Sequence, residues 1–162
     1  MLEESNAALV TLKGMEIIYP GLFKAIGTPT YLSWDADVNA PVNFRAKYVL
    51  PLDFCHSYDP NVEIGDGNEA VFQGGLLNGI LDNAMTMGVQ VVTQGRFLTT
   101  LSMTCQFIAP SRPGYAYAEV DVTKVGATVA FASVKLYSDE ECTHLTAVAT
   151  SVNKLRRPSS RL

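Results

Sequence analysis

The stretch Val71-Phe72-Gln73-Gly74-Gly75-Leu76-Leu77-Asn78-Gly79-Ile80-Leu81-Asp82-Asn83-Ala84 decides the fold of this chain. From Gly75 to about Gln90, Leu77, Ile80, Leu81, Ala84 and Gly88 recur at helical spacing, which predicts one helix with an apolar stripe. Its other face is small or polar: Gly75, Asn78, Gly79, Asp82 and Thr86. Glycine inside a helix costs up to about 1 kcal/mol relative to alanine. These glycines therefore point to a place where another backbone or a ligand comes close. The stretch from Val71 to Gly95 is almost free of charge, but Asp82 lies near its middle among Gln73, Asn78, Asn83 and Gln90. A charge at the centre of a bilayer is costly, so the stretch reads as a buried helix and not as a membrane span.

Downstream of this helix the chain reads as β. Phe97–Ala109, Tyr115–Val125, Thr128–Tyr137 and Thr143–Asn153 are extended by composition, and Ser111-Arg112-Pro113-Gly114, Val125-Gly126-Ala127 and Ser138-Asp139-Glu140 divide them as turns. Between Ala118 and Thr123, apolar and polar residues alternate, the mark of a half-buried strand. Upstream, Thr30–Val38 and Val42–Leu50 read as two strands, and residues 53–70 as a long loop rich in Asp, Pro and Gly. Residues 5–19 read as a helix stopped by Tyr19-Pro20-Gly21, with a short helical piece over 21–26. The order is two strands, one long helix, then four strands joined by hairpins. That is an α+β layout, an antiparallel sheet wrapped around one long central helix. The expected division is a helical extension over 1–28, the main domain over 29–155 and a basic tail over 156–162.

A length of 162 residues suits one domain able to bury its own core. Only 17% of the residues are charged, against roughly 25% in typical soluble domains. Such a surface calls for cover, and a homo-oligomer, dimer or tetramer, is expected. The net charge is −4 although the last nine residues carry Lys154, Arg156, Arg157 and Arg161, so the body is more acidic still. That argues against nucleic acid as a partner. Cys55, Cys105 and Cys142 are an odd set with no close spacing, which fits a reducing, cytoplasmic setting better than a disulfide framework. The start Met1-Leu2-Glu3-Glu4 lacks the positive charge and apolar run of a signal peptide.

Asp82 is the most informative residue. It stands on an apolar helix with no Lys or Arg three or four positions away, and charged residues are rarely buried without a partner. Either its face reaches solvent or a backbone amide, or it is a cleft carboxylate working as base or nucleophile. Gln73-Gly74-Gly75 precedes it at the start of the helix. There the first N–H groups have no internal partners, and two glycines let a ligand oxygen approach. Such donors can hold an oxyanion. Other chemistries read weakly. Cys55-His56 as a nucleophile and its base is disfavoured, because adjacent side chains point apart in an extended chain. Cys55, His56, Cys142 and His144 lack the usual spacing of a zinc site. Phosphate-loop, dinucleotide and serine-elbow signatures do not occur.

The quoted helix motif resembles that of hotdog-fold acyl-CoA thioesterases, and most of all the phenylacetate-degradation (PaaI-like) group. Phe107-Ile108-Ala109-Pro110-Ser111-Arg112-Pro113-Gly114 resembles that family's strand and turn after the helix, and Lys124-Val125-Gly126-Ala127-Thr128-Val129-Ala130-Phe131 its next hairpin. The resemblance covers residues 71–153. It implies a hotdog fold, a homodimer often paired into a tetramer, and thioester hydrolysis without a cofactor or metal. It maps the acid/base or nucleophilic carboxylate onto Asp82 and the oxyanion N–H onto Gly74, beside Gly75, with the two contributed by opposite subunits. It maps a water-positioning hydroxyl near Thr100, sets Gln73 where the family usually has His, and makes Asn68 the nearest candidate for a further carbonyl contact. The function expected is hydrolysis of an acyl-CoA ester, with no nucleic-acid or membrane partner. The alternative is a non-catalytic protein that holds acyl-CoA or a lipid-type ligand in the same tunnel. A dehydratase would need a His near the helix, and neither His56 nor His144 is expected there.

Overall fold

The computed structural model describes residues 24, 29–33, 43–57 and 69–157. Along these run strand β1 (Thr30–Ser33), β2 (Asn43–Leu50), a 3-10 turn (Leu52–Phe54), β3 (Cys55–Ser57), β4 (Ala70–Phe72), helix α1 (Gly74–Val92), β5 (Phe97–Phe107), β6 (Gly114–Val125), β7 (Val129–Tyr137) and β8 (Leu145–Leu155). Apart from Lys24, the expected extension over 1–28 lies outside the described residues. So do Asn68 and the tail beyond Arg157.

Six strands form one antiparallel sheet in the order β1-β2-β6-β7-β8-β5, and β3 pairs with β4 in a separate two-stranded ribbon. The inner face of the sheet is rich in small residues. One row across it runs Ala46, Ala118, Leu136, Ala147. Small side chains leave room for α1, which buries Leu77, Ile80, Leu81, Ala84, Met85, Met87 and Val89 against this face. Gly88 makes the tightest approach. A Cβ built there would lie 2.8 Å from Val120 Cγ1, so the helix can sit this close to β6 only with glycine at that position. Burying a Leu or Ile side chain contributes about 1.5–3 kcal/mol, and this shared core is what curls the sheet around the helix.

The helix and the four strands after it lie where their patterns predict, each within two residues at either end. Two expectations change. The four last strands are not a simple run of hairpins: β5 pairs with β8, not with β6. The connection over 108–113 instead crosses the sheet end. Three strand spacings make about 14 Å, which six residues can span at up to about 20 Å. Residues 53–70 are not loop throughout, since Cys55–Ser57 and Ala70–Phe72 pair at its two ends. The strand expected over Thr30–Val38 is described as Thr30–Ser33, its remainder lying outside the described residues.

Candidate active site

Helix α1 begins at a glutamine cap. Gln73 is extended, with φ −64 and ψ 124, and its side-chain Oε1 accepts the Leu76 N–H at 2.7 Å. Its carbonyl accepts the Leu77 N–H at 3.0 Å, and its own N–H donates to the Phe54 carbonyl at 3.0 Å. These bonds leave two helix-start donors: among the described residues, the N–H groups of Gly74 and Gly75 have no acceptor. Because Oε1 is committed to Leu76, the amide NH2 is the end of the Gln73 side chain left to donate. Glycine at 75 is part of the same device, since a Cβ there would lie 3.0 Å from Gln73 Oε1 and 3.2 Å from Nε2. The Gly74 end opens into a cleft of about 300 Å³ walled by His56, Val71, Phe72, Leu77, Phe107 and Ser111.

Asp82 is half-buried on the same helix. Thr100 Oγ1, on β5, donates to Asp82 Oδ1 at 2.7 Å. The same hydroxyl lies 3.4 Å from Oδ1 of Asn153, which is fully buried and whose amide donates to Ser151 Oγ at 2.9 Å. Thr100 has one proton, and the shorter contact to a charged acceptor takes it. The neighbour Asn83 is anchored from the other side by the Tyr48 hydroxyl at 2.9 Å, which fixes the helix rotation at this turn. Among the described residues, no cation pairs with Asp82. The carboxylate is thus oriented by a neutral donor and keeps its second oxygen for other work. From Gly74 to Asp82 is eight residues along the helix, about 12 Å at 1.5 Å per residue. The two ends of the candidate machinery therefore cannot meet on one carbonyl within one chain.

The structure brings Thr100 to Asp82 and keeps Gln73, Gly74 and Gly75 together at the helix start. Asn68 lies outside the described residues. One expectation is corrected: His56, expected away from the helix, lies opposite Val71 in the β3–β4 ribbon and walls the Gly74 cleft. Three-residue strands show too little alternation to have revealed this. Ser111 was also missed; it is 4% exposed, and its buried hydroxyl has no partner among the described residues. Burial pushes the Cys55 thiol up, which disfavours it as a thiolate nucleophile. Cys142 accepts from Arg45 at 3.1 Å, and His144 pairs with Asp139 at 3.2 Å. Among the described residues, no three His, Cys, Asp or Glu side chains gather as a metal site, and no helix is long and apolar enough to cross a membrane.

Residues 66–152 match the family model of the acyl-CoA thioesterase N-terminal domain. No curated protein sequence matches the chain. Among solved structures, the PaaI protein of the E. coli phenylacetic acid degradation operon superposes with a TM-score of 0.69 at 14% identity, covering 94% of this chain and 95% of its own. Thioesterase superfamily member 2 from Mus musculus gives 0.66 at 18% identity, over 92% and 97%. A phenylacetic acid degradation-related protein from Ralstonia eutropha JMP134 gives 0.63 at 21% identity, over 84% and 90%. At these identities the likeness carries the fold, a sheet wrapped around one long helix.

Proposed function

The chain belongs to the acyl-CoA thioesterase family, in the hotdog fold, and on that premise we propose how and where it cleaves its ester. It is a thioesterase. In the proposed reaction Asp82 takes a proton from water as the water oxygen attacks the thioester carbonyl. The negative charge that develops on the carbonyl oxygen is held by the Gly74 N–H, with the side-chain amide of Gln73 as a second donor. Collapse of the adduct breaks the C–S bond, and the proton held by Asp82 passes to the departing CoA sulfur. Thr100 keeps the carboxylate in place throughout. The group that acts is a PaaI-like site, and neither a metal nor a cofactor enters any step.

The observation that carries this reading is the 2.7 Å Thr100–Asp82 contact, on a helix whose free N–H donors lie about 12 Å away. Both are needed at one carbonyl, so Gly74 of one subunit faces Asp82 of the other in a homodimer. Among the described residues β5 ends the sheet, and this edge supports such a pairing. Leu98, Leu101 and Phe107 on that strand are 46, 55 and 52% exposed, more than a lone edge strand should leave open. Phe131, 39% exposed on the outer face of the sheet, offers a second contact through which dimers can pair into a tetramer. Three free cysteines support a reducing, cytoplasmic setting.

Mixed dimers test the reading. Gly74 is the first helical residue, where proline is tolerated, and the extended Gln73 before it suits a proline. Gly74→Pro therefore deletes the N–H while keeping the helix. Asp82→Asn and Gly74→Pro should each be inactive alone. After dissociation and reassembly, heterodimers should regain one intact site from two different chains. Folded, demonstrably mixed dimers with no recovered activity would show that the site is built within one chain. A wild-type protein that binds acyl-CoA without turning it over would make it a ligand-binding member of the family instead.

A further inference from the structure

Gly74, Asn78 and Asp82 stand four residues apart, so they form one ridge along α1. Each is only partly buried, and the ridge closes at Thr86, which is buried. Asn78 is its odd member. Asparagine is a poor helix former, because its side chain competes for backbone hydrogen bonds. Here it gains nothing in return: its Oδ1 is buried and has no donor among the described residues. A buried acceptor without a partner is unfavourable. The next residue, Gly79, has no use within one chain either. A Cβ built there meets nothing within 4 Å, so alanine would fit and would favour the helix.

A second copy of the chain gives both residues a use. In the homodimer Gly74 of one subunit faces Asp82 of the other, and the two-fold axis repeats that contact in reverse. Helices related in this way run antiparallel past each other, and the residue midway between 74 and 82 falls on the axis. That residue is Asn78, and it meets its own copy.

We propose that the side-chain amides of the two Asn78 residues pair across the dimer axis, each Nδ2 donating to the other's Oδ1, and that this pair sets the register in which Gly74 and Asp82 of opposite subunits share one thioester carbonyl. An amide has a donor end and an acceptor end, so two of them related by a two-fold satisfy each other. Turning the amide outward breaks no bond, since Oδ1 has none to lose. The pair fills the gap that the two esters prop open about 6 Å to either side of it. Gly79 beside it lets the partner helix approach. A single asparagine at a coiled-coil interface fixes register in the same way. Asn78 is thus a positioning residue and touches no reacting atom. The inference rests on the two-subunit site proposed above, and it goes beyond that site by assigning what aligns its halves.

Only a residue on the axis meets itself, and the test turns on that. Asn78→Asp and Asn78→Lys chains are mixed in equal amounts, dissociated and reassembled. The salt is about 0.15 M, where charges more than about 8 Å apart are largely screened. Ion exchange then separates the dimers. Homodimers bring like charges together and heterodimers bring opposite ones, so heterodimers should outnumber homodimers about tenfold or more, where random pairing would make them equal. Asn78→Ala is the second variant, and it decides the matter should the charged chains not fold, since alanine favours the helix. Its kcat should fall about tenfold with KM within about twofold of wild type, because alignment at the carbonyl counts most in the transition state. A merely structural role would move the urea midpoint and leave kcat alone. Random pairing of folded charged chains, unchanged kcat in Asn78→Ala, or a monomeric wild type would each overturn the proposal. The pairing and the reaction fail separately. A wild type that hydrolyses no ester, while the charged chains still select each other, keeps the axial pair and loses the proposed reaction.

Discussion

Asp82→Asn replaces one carboxylate oxygen with an amide and leaves the shape of the side chain nearly unchanged. Thr100 donates to Asp82 Oδ1 at 2.7 Å, and an asparagine oxygen at the same place can still accept that proton. What weakens is the bond's strength. A hydrogen bond to a charged acceptor contributes about 1.5–3 kcal/mol and a neutral one about 0.5–1.5, so the fold should lose about 1 kcal/mol, and removing a half-buried charge offsets part of that. For a domain of this size the expected fall in Tm is at most about 2–4 °C. Catalysis should fall much further. A general base contributes about 10²- to 10⁴-fold, or about 2.7–5.5 kcal/mol at 1.36 kcal/mol per decade. The assay is colorimetric capture of the CoA thiol released, with a substrate-free blank because Cys55, Cys105 and Cys142 are free and only partly buried. A folded, associated Asp82→Asn protein with kcat/KM within about threefold of wild type would refute the base assignment. A rise in KM at unchanged kcat would recast Asp82 as a binding group only.

Four further outcomes follow from the same geometry. Thr100→Val keeps the branched shape but removes the donor to Asp82, and kcat/KM should fall about tenfold or more, yet less than in Asp82→Asn. Gln73→Ala removes the cap on the Leu76 N–H, which should cost about 1 kcal/mol in chemical denaturation and reduce turnover less than Asp82→Asn does. Gly88→Ala should destabilise by about 1–3 kcal/mol, because the new Cβ meets the stiff Val120 side chain at 2.8 Å; an unchanged urea midpoint would show that β6 yields freely. Burial pushes the Asp139 carboxyl up, but the donors from Thr143 and His144 outweigh it and hold the group at about 2. Since the folded value lies below the ordinary one, the turn gains stability above the ordinary carboxylate range and loses it as pH falls through about 2. The Thr143 and His144 amide signals should titrate there, and a midpoint at the ordinary value of 3.8 would contradict the bonding.

Much of the fold is legible because its largest parts repeat. Leu77, Ile80, Leu81 and Ala84 mark α1 by spacing alone, and the alternation from Ala118 to Val122 marks β6 and its inward face. The strand order is not legible in the same way. Ser111-Arg112-Pro113-Gly114 carries the residues of a hairpin turn, yet β5 pairs with β8. Local chemistry says that the chain turns; which edge it joins depends on contacts distant in sequence. The β3–β4 ribbon escapes for the opposite reason. His56 faces Val71 across two strands of three residues each, too short for any period to appear, and with it the wall of the Gly74 cleft escapes as well.

The site divides along a similar line. Asp82 announces itself because a lone carboxylate contradicts the helix around it, and Gly74-Gly75 because glycines contradict a helix start. Thr100 contradicts nothing. Counting back from Met103 and Cys105, which turn toward the core, strict alternation would put Leu101 inward and Thr100 outward. The register of β5 against β8 breaks between Phe97 and Thr99, and again between Thr100 and Ser102. That second irregularity reverses the phase: Leu101 is 55% exposed and Thr100 reaches Asp82. A bulge of this kind re-aims one side chain at the expense of regular pairing. Here it exposes a leucine on the last strand of the described sheet and delivers a hydroxyl to the carboxylate. The same local defect therefore feeds both the surface proposed for the second subunit and the group proposed for catalysis, which binds assembly and activity to one short stretch of strand.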